Sequence, residues 1–166
     1  MMVTNKGLPL TRGLVTVQAS LCDGCRTCET VCALVHGGAS DPEVSRILVT
    51  ADFLDVDFSP LTCLQCSDPL CLEACPVSAI AVDEATVARV VVESECIACS
   101  ACVDACGAQF DPPRIRLHPR TQIALKCDLC AGDPQCVRFC PTGALTYTQD
   151  SAGIPSGHGA EVKAHA

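Results

Sequence analysis

The sequence predicts a small α+β protein: two pseudo-symmetric modules of short strands and short helices, with long cysteine-bearing loops. Three observations lead there. All sixteen cysteines of the 166-residue chain fall into four quartets: Cys22, Cys25, Cys28, Cys32; Cys63, Cys66, Cys71, Cys75; Cys96, Cys99, Cys102, Cys106; and Cys127, Cys130, Cys136, Cys140. The stretches joining the second quartet to the third and the third to the fourth, twenty residues each, leave room for a two-stranded ribbon and little else. Aromatic residues make up only 3% and tryptophan is absent, so the usual large core side chains are scarce.

The expected elements follow in chain order. Residues 1–11 carry Gly and Pro without a period and read as an N-terminal arm. Leu14 to Ala19 alternates apolar and polar in the manner of a short strand. Ala33, Leu34 and Val35 continue a helix out of the first quartet, and Gly37-Gly38 ends it. Arg46 to Phe53 is a second strand candidate, within the thirty residues that separate Cys32 from Cys63. Hairpins are expected from Ala79–Val82 with Val87–Val92, and from Arg114–Leu117 with Gln122–Leu125. Ala144 to Thr148 completes the strands. From Asp150 onward Gly, Ser, Pro and His read as a flexible tail. The chain is thus expected to divide into an arm (1–11), one domain (12–149) with an outer module (12–58 plus 118–149) and an inner module (59–117), and a tail (150–166).

Four thiolates within about fourteen residues, closing on Cys140-Pro141, form the ligand pattern of a cubane iron-sulfur cluster. Cys-x-x-Cys-x-x-Cys wraps three iron corners because its backbone amides turn inward around the sulfides. The fourth cysteine sits on the following helix and points away, and in two-cluster ferredoxins it ligates the neighbouring cluster. Quartets therefore come in pairs. The second and fourth share a widened gap filled by Asp68-Pro69 and Asp133-Pro134, a turn-forming pair, and both close on Cys-Pro. The first and third share the compact spacing, so half-sites of two kinds alternate.

Competing chemistries fit less well. Zinc sites separate two Cys-x-x-Cys knuckles by a longer loop. A disulfide scaffold belongs to exported chains. Met1 to Leu10 has neither an apolar signal core nor twin arginines, and no apolar run approaches the roughly 20 residues of a membrane span. A cytoplasmic chain with reduced thiols is the expectation. The formal charge of −8 becomes about −16 if four oxidised clusters form. So acidic a chain does not seek nucleic acid. No phosphate loop, nucleophile elbow or flavin fingerprint is present, so no substrate site is visible. His36, His118, His158 and His165 share no metal-ligand spacing. Lys126 and Arg138 flank the last quartet, where a cation raises a nearby cluster's potential or simply keeps the surface soluble.

On these residues the sequence resembles the four-cluster, bacterial-ferredoxin-like electron-transfer subunits of molybdenum and tungsten oxidoreductases, some hydrogenases and carbon monoxide dehydrogenase. The likeness spans about Val15 to Tyr147. Its sharpest parts are Cys63-Leu-Gln-Cys66 through Cys75-Pro-Val-Ser-Ala-Ile80, Lys126-Cys-Asp-Leu-Cys130 and Cys140-Pro-Thr-Gly-Ala-Leu145. Cys22-Asp-Gly-Cys25-Arg26-Thr-Cys28-Glu29 with His36-Gly37 looks most like the branch serving tungsten aldehyde oxidoreductases and carbon monoxide dehydrogenase. Two departures stand out: the insert between Cys130 and Cys136 is only five residues, which bears on the partner contact near that cluster, and Ala98 stands where relatives often have Gly.

The resemblance implies nested pairing. One cluster would take Cys22, Cys25, Cys28 and Cys140, and its neighbour Cys127, Cys130, Cys136 and Cys32. The inner pair would be Cys63, Cys66, Cys71 with Cys106, and Cys96, Cys99, Cys102 with Cys75. Alternating half-sites by themselves equally permit pairing of adjacent quartets. The implied function is that of a non-catalytic subunit relaying single electrons through four 4Fe-4S clusters. Its partners would be a catalytic tungsten or molybdenum pterin enzyme, such as an aldehyde oxidoreductase, and a flavin or ferredoxin redox partner. Hydrogenase or carbon monoxide dehydrogenase partners are the alternative, as is a structural or sensing iron-sulfur module.

Overall fold

A computed structural model of the chain describes residues 7–158 apart from 53, 55 and 56. Among the described residues are four two-stranded antiparallel sheets and four short α-helices. Strand β1 (Gly13–Val17) leads to helix α1 (Thr27–Gly37), then to a hairpin of β2 (Leu48–Asp52) and β3 (Asp57–Leu61). Helix α2 (Leu70–Glu73) is followed by β4 (Ile80–Val82) and β5 (Arg89–Val91), and α3 (Ala101–Gly107) by β6 (Arg116–Leu117) and β7 (Ala124–Leu125). Helix α4 (Gln135–Arg138) and β8 (Leu145–Gln149) end the series.

The sheet partners are nested. β1 pairs with β8 from Gly13 opposite Gln149 to Val17 opposite Leu145, joining the two ends of the chain, while the other three sheets are local hairpins. Helices follow the same scheme, with α1 packed on α4 and α2 on α3. One core gathers Val15, Ile47, Val49, Ala88, Leu129 and Leu145 around Cys28, Cys32 and Cys136. A second gathers Ile80, Ile115 and Ala124 around Cys102 and Cys106. Cysteine sulfurs thus sit where the missing aromatics would otherwise be.

Local signals account for most ends. Gly38 adopts φ 70° and returns its amide to the Leu34 carbonyl at 3.0 Å, closing α1 where the Gly pair suggested. α2 and α4 stop within two residues of Cys75-Pro76 and Cys140-Pro141, because a residue before proline is pushed out of the helical region. The strand expected over Arg46–Phe53 is β2, with Phe53 outside the described residues. Its partner β3 carries Pro60 in its interior and escaped the sequence reading.

Three boundaries differ from the sequence expectation. The expected division at 117/118 runs through the β6–β7 hairpin, where Ala124 packs into the same core as Ile115. The arm is anchored at its end, since Thr11 is buried and the Pro9 carbonyl accepts from the Arg89 guanidinium at 2.7 Å. Residues 150–158 are fastened rather than loose: the Ile154 amide donates to the Thr11 carbonyl at 2.8 Å, and Ser67 N–H to the Ser156 carbonyl at 2.8 Å. Composition suggested a free tail because its Gly and Ser were read without their partners; here they permit close approach. Gly157, at φ 60°, leaves no space for a side chain, since a Cβ there would lie 2.5 Å from the Cys66 sulfur.

Gly157→Val is therefore expected to lift this segment off the Cys63–Cys66 loop, costing about 1–3 kcal/mol as an overpacked contact does. Thermal unfolding of anaerobic protein should show the loss, together with faster proteolysis beyond Gln149.

Candidate metal centres

Each quartet begins with the same backbone device. The residue before the second cysteine has positive φ in all four: Gly24 at 74°, Gln65 at 49°, Ala98 at 58° and Leu129 at 60°. A left-handed residue there curls the loop so that amides can face the sulfurs. Only the first is glycine; its ideal Cβ would lie 2.6 Å from the Phe58 ring. At the other three the strain of about 1–2 kcal/mol per residue must be held by surrounding contacts.

The third and fourth cysteines of every quartet are four residues apart, at or beside a helix: Cys28 and Cys32, Cys71 and Cys75, Cys102 and Cys106, Cys136 and Cys140. Helical i, i+4 spacing places both on one face about a turn apart, so one can serve its own loop and the next a neighbouring site. The fourth cysteines share a partner pattern. Cys32 accepts the Arg46 amide at 3.3 Å, Cys75 that of Ala79 at 3.2 Å and Cys106 that of Arg114 at 3.1 Å. Burial raises the Cys140 thiol, but the amide of Leu145, the Thr142 hydroxyl and the amides of Thr142 and Ala144 together outweigh it and hold the thiol below its usual range.

Three cavities are lined by cysteines from two chain segments each. Cys63, Cys66 and Cys71 share one with Cys106. Cys96, Cys99 and Cys102 share another with Cys75. Cys127, Cys130 and Cys136 are not joined by their own Cys140 in the third, where Cys32 stands instead. For the remaining four, Cys28 senses the charges of Cys22 and Cys25, and Cys140 packs against the core that contains Cys28. Cys25 and Cys99 are the exposed members of the sixteen.

Several charged and polar side chains around these sulfurs take places that the sequence did not reveal. Lys126, readable as a surface cation, is 2% exposed, while Arg138 does lie at the surface beside Asp133. Gln65, buried, holds loops together: its Oε1 accepts the Arg89 amide at 2.7 Å and its Nε2 donates to the Cys127 carbonyl at 2.7 Å. Glu29 is buried with Oε1 accepting the Val49 amide at 2.7 Å, tying α1 to β2. His36, which lacked any ligand spacing, comes within 3.7 Å of the Cys130 sulfur and 3.6 Å of Asp128. Burial, and then Arg46, lower its pKa, so the ring is neutral at neutral pH. Arg89 was passed over, although it is a lone cation in the apolar run Val87-Ala-Arg-Val-Val.

Burial pushes the Cys28, Cys71 and Cys127 thiols up to about 12 and Cys102 up to about 11. Only an adjacent cation of high charge makes such groups thiolates at neutral pH. The donors fit iron-sulfur clusters: all-sulfur sets, amides aimed at the sulfurs, and buried Nε atoms of Arg89 and Arg114 that lack a protein acceptor beside one cavity. Cluster sulfides are acceptors of the kind those N–H groups need. Such clusters, when bound, supply one-electron redox chemistry.

Fold and site together define an iron-sulfur electron carrier. Residues 54–150 match the family described as the 4Fe-4S dicluster domain, and the chain belongs to that family. It is 44% identical over 126 residues to the polyferredoxin-like subunit of an aliphatic sulfonate oxidoreductase of Pyrococcus furiosus, covering 76% of this chain and 70% of that one. It is 35% identical over 128 residues to subunit beta of the NADH-dependent phenylglyoxylate dehydrogenase of Aromatoleum evansii, covering 76% of this chain and 28% of that subunit. Among solved structures, a chain of the BamBC active-site complex of benzoyl coenzyme A reductase superposes with a TM-score of 0.52 at 25% identity, covering 86% of this chain and 82% of the other. The chain is an iron-sulfur electron-transfer subunit of oxidoreductases, and not the catalytic one. Among the described residues no helix is long and apolar enough to cross a membrane.

Ligated thiolates bind no proton, whereas unfolded cysteines are protonated below their pKa of about 8.5. Stability conferred by ligation is therefore full above that value and falls as pH drops. Holoprotein held with an iron chelator is expected to lose its visible cluster absorption markedly faster near pH 6 than near pH 8.

Proposed function

We propose that the chain carries four 4Fe-4S clusters in a row and passes single electrons between a catalytic oxidoreductase subunit and a second redox partner. Cys22, Cys25, Cys28 and Cys140 hold the first cluster; Cys127, Cys130, Cys136 and Cys32 the second. Cys63, Cys66, Cys71 and Cys106 hold the third; Cys96, Cys99, Cys102 and Cys75 the fourth. The observation that carries this reading is the make-up of the three cavities, each with three sulfurs from one loop and a fourth from the nested quartet rather than from an adjacent one. Two pseudo-symmetric modules follow, an outer one around α1 and α4 and an inner one around α2 and α3.

The order along the relay is supported by packing. Cys136 shares a core with Cys28, linking the second site to the first, and Gln65 of the Cys63 loop donates to the Cys127 carbonyl at 2.7 Å, linking second to third. Packing of α2 on α3 links third to fourth. The exposed Cys25 and Cys99 fall at opposite ends of that order, where partners would dock. The catalytic partner is a tungsten or molybdenum pterin enzyme that oxidises an aldehyde or similar small substrate in the cytoplasm. Support for the metal comes from the first-quartet motif alone; the relatives, subunits of an aliphatic sulfonate oxidoreductase and of a phenylglyoxylate dehydrogenase, support a catalytic oxidoreductase partner.

Anaerobically purified protein is expected to hold about sixteen irons per chain, to be reduced by dithionite, and to be reoxidised by the enzyme that co-purifies with it, which should contain tungsten or molybdenum. Colourless protein holding zinc would overturn the relay; clusters without electron flow would leave a structural module instead. Cys140→Ala and Cys25→Ala should remove the same component from the electron paramagnetic resonance spectrum. If Cys140→Ala instead matched Cys99→Ala, pairing would be adjacent.

A further inference from the structure

The sites differ sharply in charge; at that of Cys22, Cys25, Cys28 and Cys140 the cation within the loop, Arg26, is half exposed and paired with Glu29 at 3.4 Å. The cavity holding Cys75, Cys96, Cys99 and Cys102 is lined by no charged side chain besides the cysteines. That holding Cys32, Cys127, Cys130 and Cys136 has Arg46, but this guanidinium is engaged by Asp128 at 2.6 Å and Glu93 at 3.1 Å. The third, with Cys63, Cys66, Cys71 and Cys106, is lined by Lys126, Arg89 and Arg114 and by no carboxylate.

Two of these cations are deeply buried, and apart from the sulfurs of the site their acceptors are neutral. Lys126 donates to Gln65 Oε1 at 3.3 Å and to the Arg89 carbonyl. Arg89, 0% exposed, donates to the Val87 carbonyl at 2.9 Å and the Pro9 carbonyl at 2.7 Å. Among the described residues neither is paired with a carboxylate. Burying a charge without a counter-charge costs several kcal/mol, so the compensating charge has to come from the site itself. Lys126 lines the same cavity as the sulfurs of Cys63, Cys66, Cys71 and Cys106. An oxidised cluster with four thiolates carries about −2 and gains a further negative charge on reduction. A cation fixed in low dielectric therefore stabilises the reduced form more than the oxidised one.

We infer that the cluster held by Cys63, Cys66, Cys71 and Cys106 is the highest-potential centre of the chain, and that Lys126 is the residue that sets it. This rests on the four-cluster reading above. The relay then has a well in its middle: the first electron to enter comes to rest between the two modules, and the uncharged site of Cys75, Cys96, Cys99 and Cys102 is the last to be reduced. Lys126 acts as a positioning charge, close to the seam where Cys127 and Cys63 lie.

The test is a redox titration of anaerobic holoprotein followed by electron paramagnetic resonance, with iron counted in every sample. In the unsubstituted protein the first signal to appear on reduction should be the one missing from Cys66→Ala. Lys126→Met, with iron content unchanged, should lower the reduced-to-oxidised ratio of that centre at least tenfold at fixed potential, about 59 mV for a one-electron couple. Lys126→Arg should largely restore it. Unchanged potential at full iron content, or a first signal that survives in Cys66→Ala, would overturn the inference. Should Lys126→Met not retain its clusters, Arg89→Met and Arg114→Met must each lower the same centre, and failure of either would likewise overturn it. Absence of iron from the unsubstituted protein would instead defeat the underlying four-cluster reading.

Discussion

In the nested scheme proposed above, four sulfurs must meet at one point, three from a tight loop and one from a helix elsewhere in the chain, and the rest of the structure suits that requirement. The left-handed residues at 24, 65, 98 and 129 curl the loops. Four-residue spacing on each helix lets the last cysteine leave its own loop for another. The β1–β8 pairing then brings residues over a hundred positions apart to the same place, so that Cys140 can lie beside the core of Cys28. In a chain with one tyrosine, four phenylalanines and no tryptophan, metal ligation does the work that aromatic burial does elsewhere.

The cysteine spacing made the elements and the half-sites legible, because ligand geometry constrains sequence far more tightly than packing does. Both hairpins after the second and third quartets stand within two residues of their expected ends, and the Gly pair ends α1. The gathering of Cys32 with the fourth quartet was not derivable from the half-sites themselves, since alternation satisfies nested and adjacent schemes alike; it came only through resemblance. Strand β3 was obscured by its proline. The fastening of residues 150–158 was obscured because Ser156 bonds to the Leu64 carbonyl, ninety-two positions away, and composition carries no record of so distant a partner.

Buried charge was the least legible feature. Lys126 and Arg138 look equivalent in sequence, each flanking the same quartet, yet one is enclosed and the other lies in solvent. What separates them is Gln65, whose amide fixes the Cys63 loop to the Cys127 carbonyl and roofs the lysine. An anionic cofactor makes a lone buried cation tolerable, and distributing such cations unevenly gives each site a different electrostatic setting within one backbone plan.

The account stands or falls on which cysteines share a metal. Anomalous scattering at the iron edge from crystals of anaerobic protein locates the metals directly. The account requires four iron centres, with Cys140 on the centre of Cys22, Cys25 and Cys28, and Cys106 on that of Cys63, Cys66 and Cys71. Fewer centres, scattering at the zinc edge alone, or Cys140 bound with Cys96, Cys99 and Cys102 would contradict it.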